Sequence, residues 1–201
     1  YLILVLSAVG FGASSVVLFN TVAARVEKAL PEDATLVQSK REAERASRTF
    51  RDSYAKVMAR DSEFEVQINY WKSFTRQVSN NGQWNGNTVS GSGFLPPIGP
   101  FSDPRAYRVY QVDSNGNLTY QDRQCNVPGL APVQGYTYSF NGDLNDLNNC
   151  VAELEEARRE NQQAAEQLGQ YLTGTIEKVV NAMVARLRDL LFTFTILAAA
   201  S

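Results

Sequence analysis

The stretch LVQSKREAERASRTFRDSYAKVMARDSEFEVQINYWKSFTRQV, residues 36–78, carries an apolar side chain at every seventh position. No Gly or Pro interrupts residues 32–81, so this repeat predicts one long helix over residues 32–80. The apolar stripe is narrower than the core-facing side of a globular helix, and we interpret it as a coiled-coil seam. Its members are Leu36, Ala43, Phe50, Val57, Phe64, Trp71 and Val78.

A second helix is predicted over residues 144–188, where apolar side chains recur at spacings of three and four. Leu168, Leu172 and Val179 are assigned to the same seam, and Asn161 falls on it, at a position that can fix helix register. The helix from Leu36 to Val78 would be about 63 Å long and that from Leu144 to Leu190 about 69 Å, at 1.5 Å per residue. Closely matched lengths and a connecting segment predict an antiparallel hairpin. Because a two-helix hairpin buries little surface, we expect self-association or assembly with other subunits.

Both ends of the chain are apolar and uncharged, over residues 1–19 and 190–201. Residues 1–24 are predicted to form a transmembrane helix, since about 20 apolar residues cross a bilayer. A signal peptide would also need a basic start and a cleavage site, which this run lacks. Residues 189–201 are interpreted as the start of a second transmembrane segment, with a short interfacial anchor as the alternative. A lipid bilayer is therefore a predicted partner.

The two cysteines of the chain, Cys125 and Cys150, are predicted to form a disulfide that stabilises the fold by roughly 3 kcal/mol. Together with the apolar ends, the pair places the central region in a periplasmic, extracellular or lumenal compartment of an integral membrane protein. Basic residues beside both apolar runs favour the opposite orientation under the positive-inside rule. For the location of the central region, we give the cysteine pair more weight than the positions of the basic residues.

Residues 81–143 form a distinct tip, rich in Gly, Asn, Ser, Pro and Tyr. Residues 79–93 are expected to be a loop on composition. A short β-hairpin is predicted around Asn115-Gly116, because Asn-Gly suits the tight turns of hairpins. The nearby Asp113-x-Asn115-x-Asn117 series is interpreted as turn chemistry and not as a calcium loop, since the required Gly and Glu are missing.

Aromatic residues are frequent in the tip, and two interpretations of them stay open. They pack the small tip, which has few aliphatic residues, or they form a binding face, because aromatic side chains anchor protein interfaces. We favour packing and retain the second reading as a candidate interface. Its members are Trp84, Phe94, Tyr107, Tyr110 and Tyr120, and Tyr136 and Tyr138 lie in the same segment.

No recognised catalytic motif occurs in the chain. Histidine is absent, which removes the usual general base near neutral pH and the commonest metal ligand. Neither a Gly-rich phosphate loop nor a nucleophile elbow is present. The formal net charge of −2 provides no basic footprint for nucleic acid. We therefore predict no enzymatic activity, no cofactor, no metal site and no nucleic-acid partner.

The predicted fold class is mainly α: a membrane-anchored antiparallel helical hairpin, coiled-coil-like, with a small disulfide-stapled loop and β tip and transmembrane segments at both ends. The predicted function is that of a structural or assembly subunit that makes protein–protein contacts through the coiled coil and the tip. The alternative is a sensor or receptor ectodomain that transmits a ligand signal across the membrane.

Overall fold

The structure, a computed structural model, describes the backbone of residues 34–200 and the side chains of residues 37–189 and Phe192. Two helices flank a block of six strands. The helices are α1 (Ala34–Asn81) and α2 (Leu144–Ala200). The strands are β1 (Gln83–Asn85), β2 (Thr88–Phe94), β3 (Ala106–Val112), β4 (Leu118–Gln124), β5 (Leu130–Gln134) and β6 (Thr137–Asp143).

The strands form two antiparallel sheets. One has four strands in the order β1-β2-β6-β5, and the other is the β3–β4 hairpin. The longest pairing of the first sheet joins β2 to β6, from Thr88 opposite Asp143 to Phe94 opposite Thr137. The hairpin turns at Gly116, whose positive φ of 77° is a conformation that glycine adopts without steric cost.

The chain divides into two compact units, Ala55–Ala165 and Tyr1–Tyr54 with Glu166–Ser201. The first unit contains all six strands and the large apolar core. Within the described part of the second unit, the helices bury one narrow stripe of side chains. Its buried members are Ala43, Ser53, Leu168, Leu172, Ile176, Val179 and Met183.

The core of the Ala55–Ala165 unit lies between the apolar stripe of α1, the start of α2 and both sheets. Burial of these side chains, at roughly 25 cal/mol per Å² of apolar surface, is the main stabilising term of the unit. The stripe of α1 contributes Phe64, Ile68, Trp71, Phe74 and Val78, and α2 contributes Leu147, Leu154 and Ala157. Strands and loops contribute Val89, Leu95, Tyr107, Val109, Cys125, Val127 and Phe140.

The coiled-coil interpretation of α1 is wrong. Phe64, Trp71 and Val78 belong to a mixed core with strand residues, so the heptad-spaced stripe packs on β-sheet as well as on helix. A heptad repeat reports which face of a helix is buried and not which element covers it. Of the predicted seam residues, Phe50 is half-buried and Leu36 is outside the described side chains. The others, Ala43, Val57, Phe64, Trp71, Val78, Leu168, Leu172 and Val179, are buried.

The membrane-anchored fold is also wrong. Among residues 34–200, no helix has an apolar run long enough to cross a membrane. This finding corrects the predicted transmembrane ends and the predicted localisation as an integral membrane protein. The predicted first span, residues 1–24, lies outside the described residues.

Residues 79–93, expected to be a loop, contain β1 and most of β2. Glycines permit this strand to lie close against α1. A Cβ on Gly91 would lie 3.2 Å from Val78 Cα, and one on Gly93 would lie 2.9 Å from the Phe74 ring. The close packing of β2 on α1 thus outweighs the poor strand propensity of its Gly and Ser residues.

Polar contacts join α1 and α2 in antiparallel order within the Ala55–Ala165 unit. Arg158 pairs with Asp61 at 3.0 Å, and Glu155 pairs with Lys72 at 2.7 Å. The buried Asn161 donates from Nδ2 to the backbone oxygen of Val57 at 2.9 Å. This bond fixes the position of α2 along α1, because a shift by one turn would leave the buried Asn161 side-chain amide without this acceptor.

Cys125 and Cys150 form a disulfide between the end of β4 and the start of α2, with their Cα atoms 5.3 Å apart. Both residues are buried in the core. The bond therefore connects the β3–β4 hairpin covalently to the helix on which it packs.

Candidate functional site

The tip aromatics divide into buried and exposed residues. Tyr107 is in the core, where its ring packs against Phe64 at a centroid distance of 6.2 Å. Tyr110 is half-buried. By contrast, the side chains of Trp84, Phe94 and Tyr120 are 52%, 49% and 59% exposed, and Tyr136 is 55% exposed. Packing therefore accounts for Tyr107 but leaves the exposed rings available for contact.

Three of the aromatic rings meet at the surface beside the four-stranded sheet. Phe94, the last residue of β2, contacts Tyr70 of α1 at 6.0 Å and Tyr136 of the β5–β6 turn at 6.2 Å, both edge-on. We call Tyr70, Phe94 and Tyr136 the ring cluster. Sequence reasoning missed Tyr70, because it lies beside the stripe of α1 and its nearness to Phe94 depends on the sheet.

The face of the four-stranded sheet that points away from the core carries small polar side chains. Along β2, burial alternates: Val89 is buried, whereas Ser90, Ser92 and Phe94 are exposed. Ser139 and Asn141 lie opposite on β6, and Ser90 donates to Asn141 at 2.8 Å. We call this surface the outer sheet face. Its residues are Gln83, Asn85, Thr88, Ser90, Ser92, Phe94, Ala131, Thr137, Ser139, Asn141 and Asp143.

The outer sheet face has a single charged residue, Asp143, at its end opposite Thr88. Asp143 is also the one charged residue of β1, β2, β5 and β6, in a protein of which 20% of the residues are charged. Residues 77–102 and 124–142 contain no charge at all. Depletion of charge and enrichment of aromatic rings distinguish the centres of protein interfaces from ordinary surface.

The two edges of this sheet are poor templates for strand addition. β1 has only three residues, and β5 carries Pro132 at an irregular register with β6. Short edges, proline and irregular register are the devices that prevent pairing of sheet edges. Contact through this sheet is therefore favoured at its face.

The β3–β4 hairpin presents a charged surface instead. Arg108 binds both carboxylate oxygens of Asp122, at 2.7 and 2.9 Å, and its guanidinium lies 3.8 Å from the centre of the Tyr120 ring. Hydrogen bonds from Arg108 lower the pKa of the Asp122 carboxyl, and the same bonds raise the pKa of Arg108. Both groups are thus ionised over the ordinary range of pH.

A cleft of about 180 Å³ lies between α1 and this hairpin. Its floor is Arg60, which has 3% of its side chain exposed. Arg60 donates from Nε to the backbone oxygen of Arg108 at 2.9 Å and from Nη1 to Glu63 at 2.8 Å. The cleft is lined by Lys56, Arg60, Glu63, Pro100, Arg108 and Tyr110.

Buried polar side chains of α1 donate hydrogen bonds to backbone oxygens at the unpaired edge of β3. Gln67 donates to the backbone oxygens of Pro104 and Ala106, and Trp71 donates to Pro104, at distances of 3.0 to 3.1 Å. With the bond from Arg60, these contacts cover a strand edge that lacks a neighbouring strand. In the sequence, the polar residues Arg60 and Gln67 within the apolar stripe of α1 are the signal that such contacts exist. The backbone oxygens that accept these hydrogen bonds cannot be identified from sequence.

The Asp113–Asn117 segment forms a turn. The Asp113 carboxylate accepts from the backbone N–H groups of Asn115 and Asn117 and from the Asn117 side chain, at 2.8 to 3.0 Å. These bonds lower the pKa of Asp113, with the Asn117 side chain as the first cause. Within residues 34–200, no group of three or more His, Cys, Asp or Glu residues is placed to hold a metal ion.

Comparison with protein-family models, with curated proteins and with solved structures found no match to this chain.

Proposed function

We propose that this chain is a non-enzymatic structural or assembly subunit and that the outer sheet face, with the ring cluster at its end, binds a second copy of the chain. The observation that carries the proposal is an exposed sheet face with aromatic rings and one charged residue, Asp143, at its end. A two-fold contact brings identical surfaces together, so residues near the two-fold axis meet their own kind and like charges there would repel each other. The uncharged centre of the face avoids that repulsion.

The size of the face predicts a weak and reversible contact. The four strands have 3, 7, 5 and 7 residues, and each residue covers about 3.4 by 4.8 Å, which gives roughly 360 Å² per copy. Two copies would bury roughly 720 Å², below the range of about 1,200–2,000 Å² typical of stable interfaces. We therefore expect a dimer that forms with rising concentration.

Ligand sensing has less support. The cleft beside Arg60, at about 180 Å³, is smaller than the clefts of about 300–1,000 Å³ that hold drug-sized ligands. We therefore favour assembly as the function.

Removing the exposed rings is expected to weaken dimerisation. In sedimentation velocity from micromolar to millimolar protein, the average mass of the unchanged chain should rise towards that of a dimer. Phe94→Ser with Tyr136→Ser should weaken the dimer by about tenfold, equivalent to about 1.4 kcal/mol, because both anchoring rings are lost.

The matched control is Tyr120→Ser, which removes a ring of similar exposure from the other sheet. It should leave the dimer unchanged. A monomer at every concentration, or equal weakening by both variants, would contradict the proposal. Circular dichroism of each variant excludes a loss of fold as the cause.

A further inference from the structure

The cleft beside Arg60 is lined by more cations than carboxylates. Lys56, Arg60 and Arg108 contribute three cations, and the carboxylates that form ion pairs with Arg60 and Arg108 are Glu63 and Asp122. Lys56 makes no ion pair with any residue that the structure describes. One unit of positive charge therefore remains, held partly in a recess where water screens it less than at an open surface.

The two guanidinium groups that line the cleft do not use all of their donors. A guanidinium has five N–H groups. Arg60 uses three of them, on the Arg108 oxygen, on Glu63 and, at 3.4 Å, on Gln67. Arg108 uses two, both on Asp122. Each guanidinium thus retains donors for a further acceptor.

The backbone at Gly99 packs closely on the Arg60–Glu63 ion pair, next to Pro100 of the cleft lining. Gly99 has a positive φ of 74°, and a Cβ there would lie 2.9 Å from Glu63 Oε2 and 3.1 Å from Arg60 Nη1. A larger residue would therefore push against the ion pair. Burial lowers the pKa of Arg60, since desolvation disfavours its charged form, and a bound anion would offset that cost.

We propose that this cleft binds a carboxylate group, supplied by a free small acid or by an acidic side chain of another protein. A planar carboxylate matches the forked donors of two guanidinium groups. The single negative charge of a carboxylate balances the one unit of positive charge that remains in the cleft. A phosphate, with about −1.5 to −2 charge at neutral pH, would exceed that positive charge. The site is separate from the outer sheet face and does not depend on dimerisation.

Titration of the ¹⁵N-labelled chain with acetate, at constant ionic strength, tests this site. The Nε–H signals of Arg60 and Arg108 should shift and saturate, while that of Arg123, which pairs with Glu160 outside the cleft, should not move. Acetamide, the neutral isostere, should cause no saturating shift. An acetylated and amidated Gly-Glu-Gly peptide serves as the second arm. Tighter binding of the peptide than of acetate assigns an acidic side chain, and weaker binding assigns a free acid.

Single substitutions at the rim sharpen the test. Glu63→Gln should tighten acetate binding about threefold, because it removes the carboxylate that competes for Arg60. Lys56→Gln should weaken it about threefold. Lys72→Gln, on the same helix but paired with Glu155 outside the cleft, should leave the affinity unchanged.

Three results would overturn the assignment: equal shifts with acetamide, tighter binding of inorganic phosphate than of acetate, or no effect of Lys56→Gln. The titration is repeated in the chain with Phe94→Ser and Tyr136→Ser. Failure of the carboxylate site and failure of the dimer contact can then be told apart.

Discussion

Trp71→Ala is expected to lower the free energy of unfolding by about 3–5 kcal/mol, the range for deleting a large buried aromatic side chain. Trp71 is completely buried, packs edge-on against Phe74 at 6.1 Å and donates its indole N–H to Pro104. Its loss would leave a cavity where α1 meets both sheets. Small domains have a free energy of unfolding of only about 5–15 kcal/mol, so this substitution would remove much of the stability of the protein.

Urea unfolding followed by circular dichroism measures this effect without depending on tryptophan fluorescence. Trp84→Ala is the matched control, since Trp84 is half exposed and its change should cost about 1 kcal/mol or less. Trp71→Phe keeps an aromatic ring, so its loss in the free energy of unfolding should lie between the losses for Trp71→Ala and Trp84→Ala. A cost for Trp71→Ala no greater than that for Trp84→Ala would contradict the packing described for α1.

Removing the disulfide with Cys125→Ala and Cys150→Ala is expected to lower the free energy of unfolding by about 3 kcal/mol. The bond closes a loop with a sequence separation of 25 residues, and closing such a loop limits the freedom of the unfolded chain. The loop includes β5 and β6, so its release affects the pairing of the four-stranded sheet with α2.

Chemical denaturation with and without reductant measures the contribution of the disulfide. Reductant should destabilise the unchanged chain by about the same amount as the double substitution, and it should have no effect on the double variant. If reductant left the unfolding midpoint of the unchanged chain in place, the disulfide would have no part in stability.

The sequence predicts the helices of this protein better than its sheets, and the reason is physical. The apolar repeat through Phe64, Trp71 and Val78 specifies the buried face of α1 whatever covers it. The covering strand β2 has the sequence TVSGSGF, whose Gly and Ser residues favour loops when considered alone. It is a strand because it pairs with β6 and packs closely on α1, and neither contact is visible in local sequence.

Part of the candidate interface can be recognised from the sequence. The charge-free runs of residues 77–102 and 124–142 can be read directly from the sequence, as can the aromatic residues within them. Their meeting on one sheet face requires the order β1-β2-β6-β5, which brings strands distant in sequence side by side. Tyr70 joins the ring cluster only through that arrangement. Composition alone therefore left packing and binding open, whereas topology determines which residues belong to the proposed interface.

The contact between two copies is tested most directly by mapping backbone amide chemical shifts as protein concentration rises. We expect the amides of the outer sheet face and the ring cluster to shift together, including Ser92, Phe94 and Ser139, while those of β4 stay unchanged. Shifts confined to the helices at residues 37–54 and 166–189, or no shifts at any concentration, would contradict it.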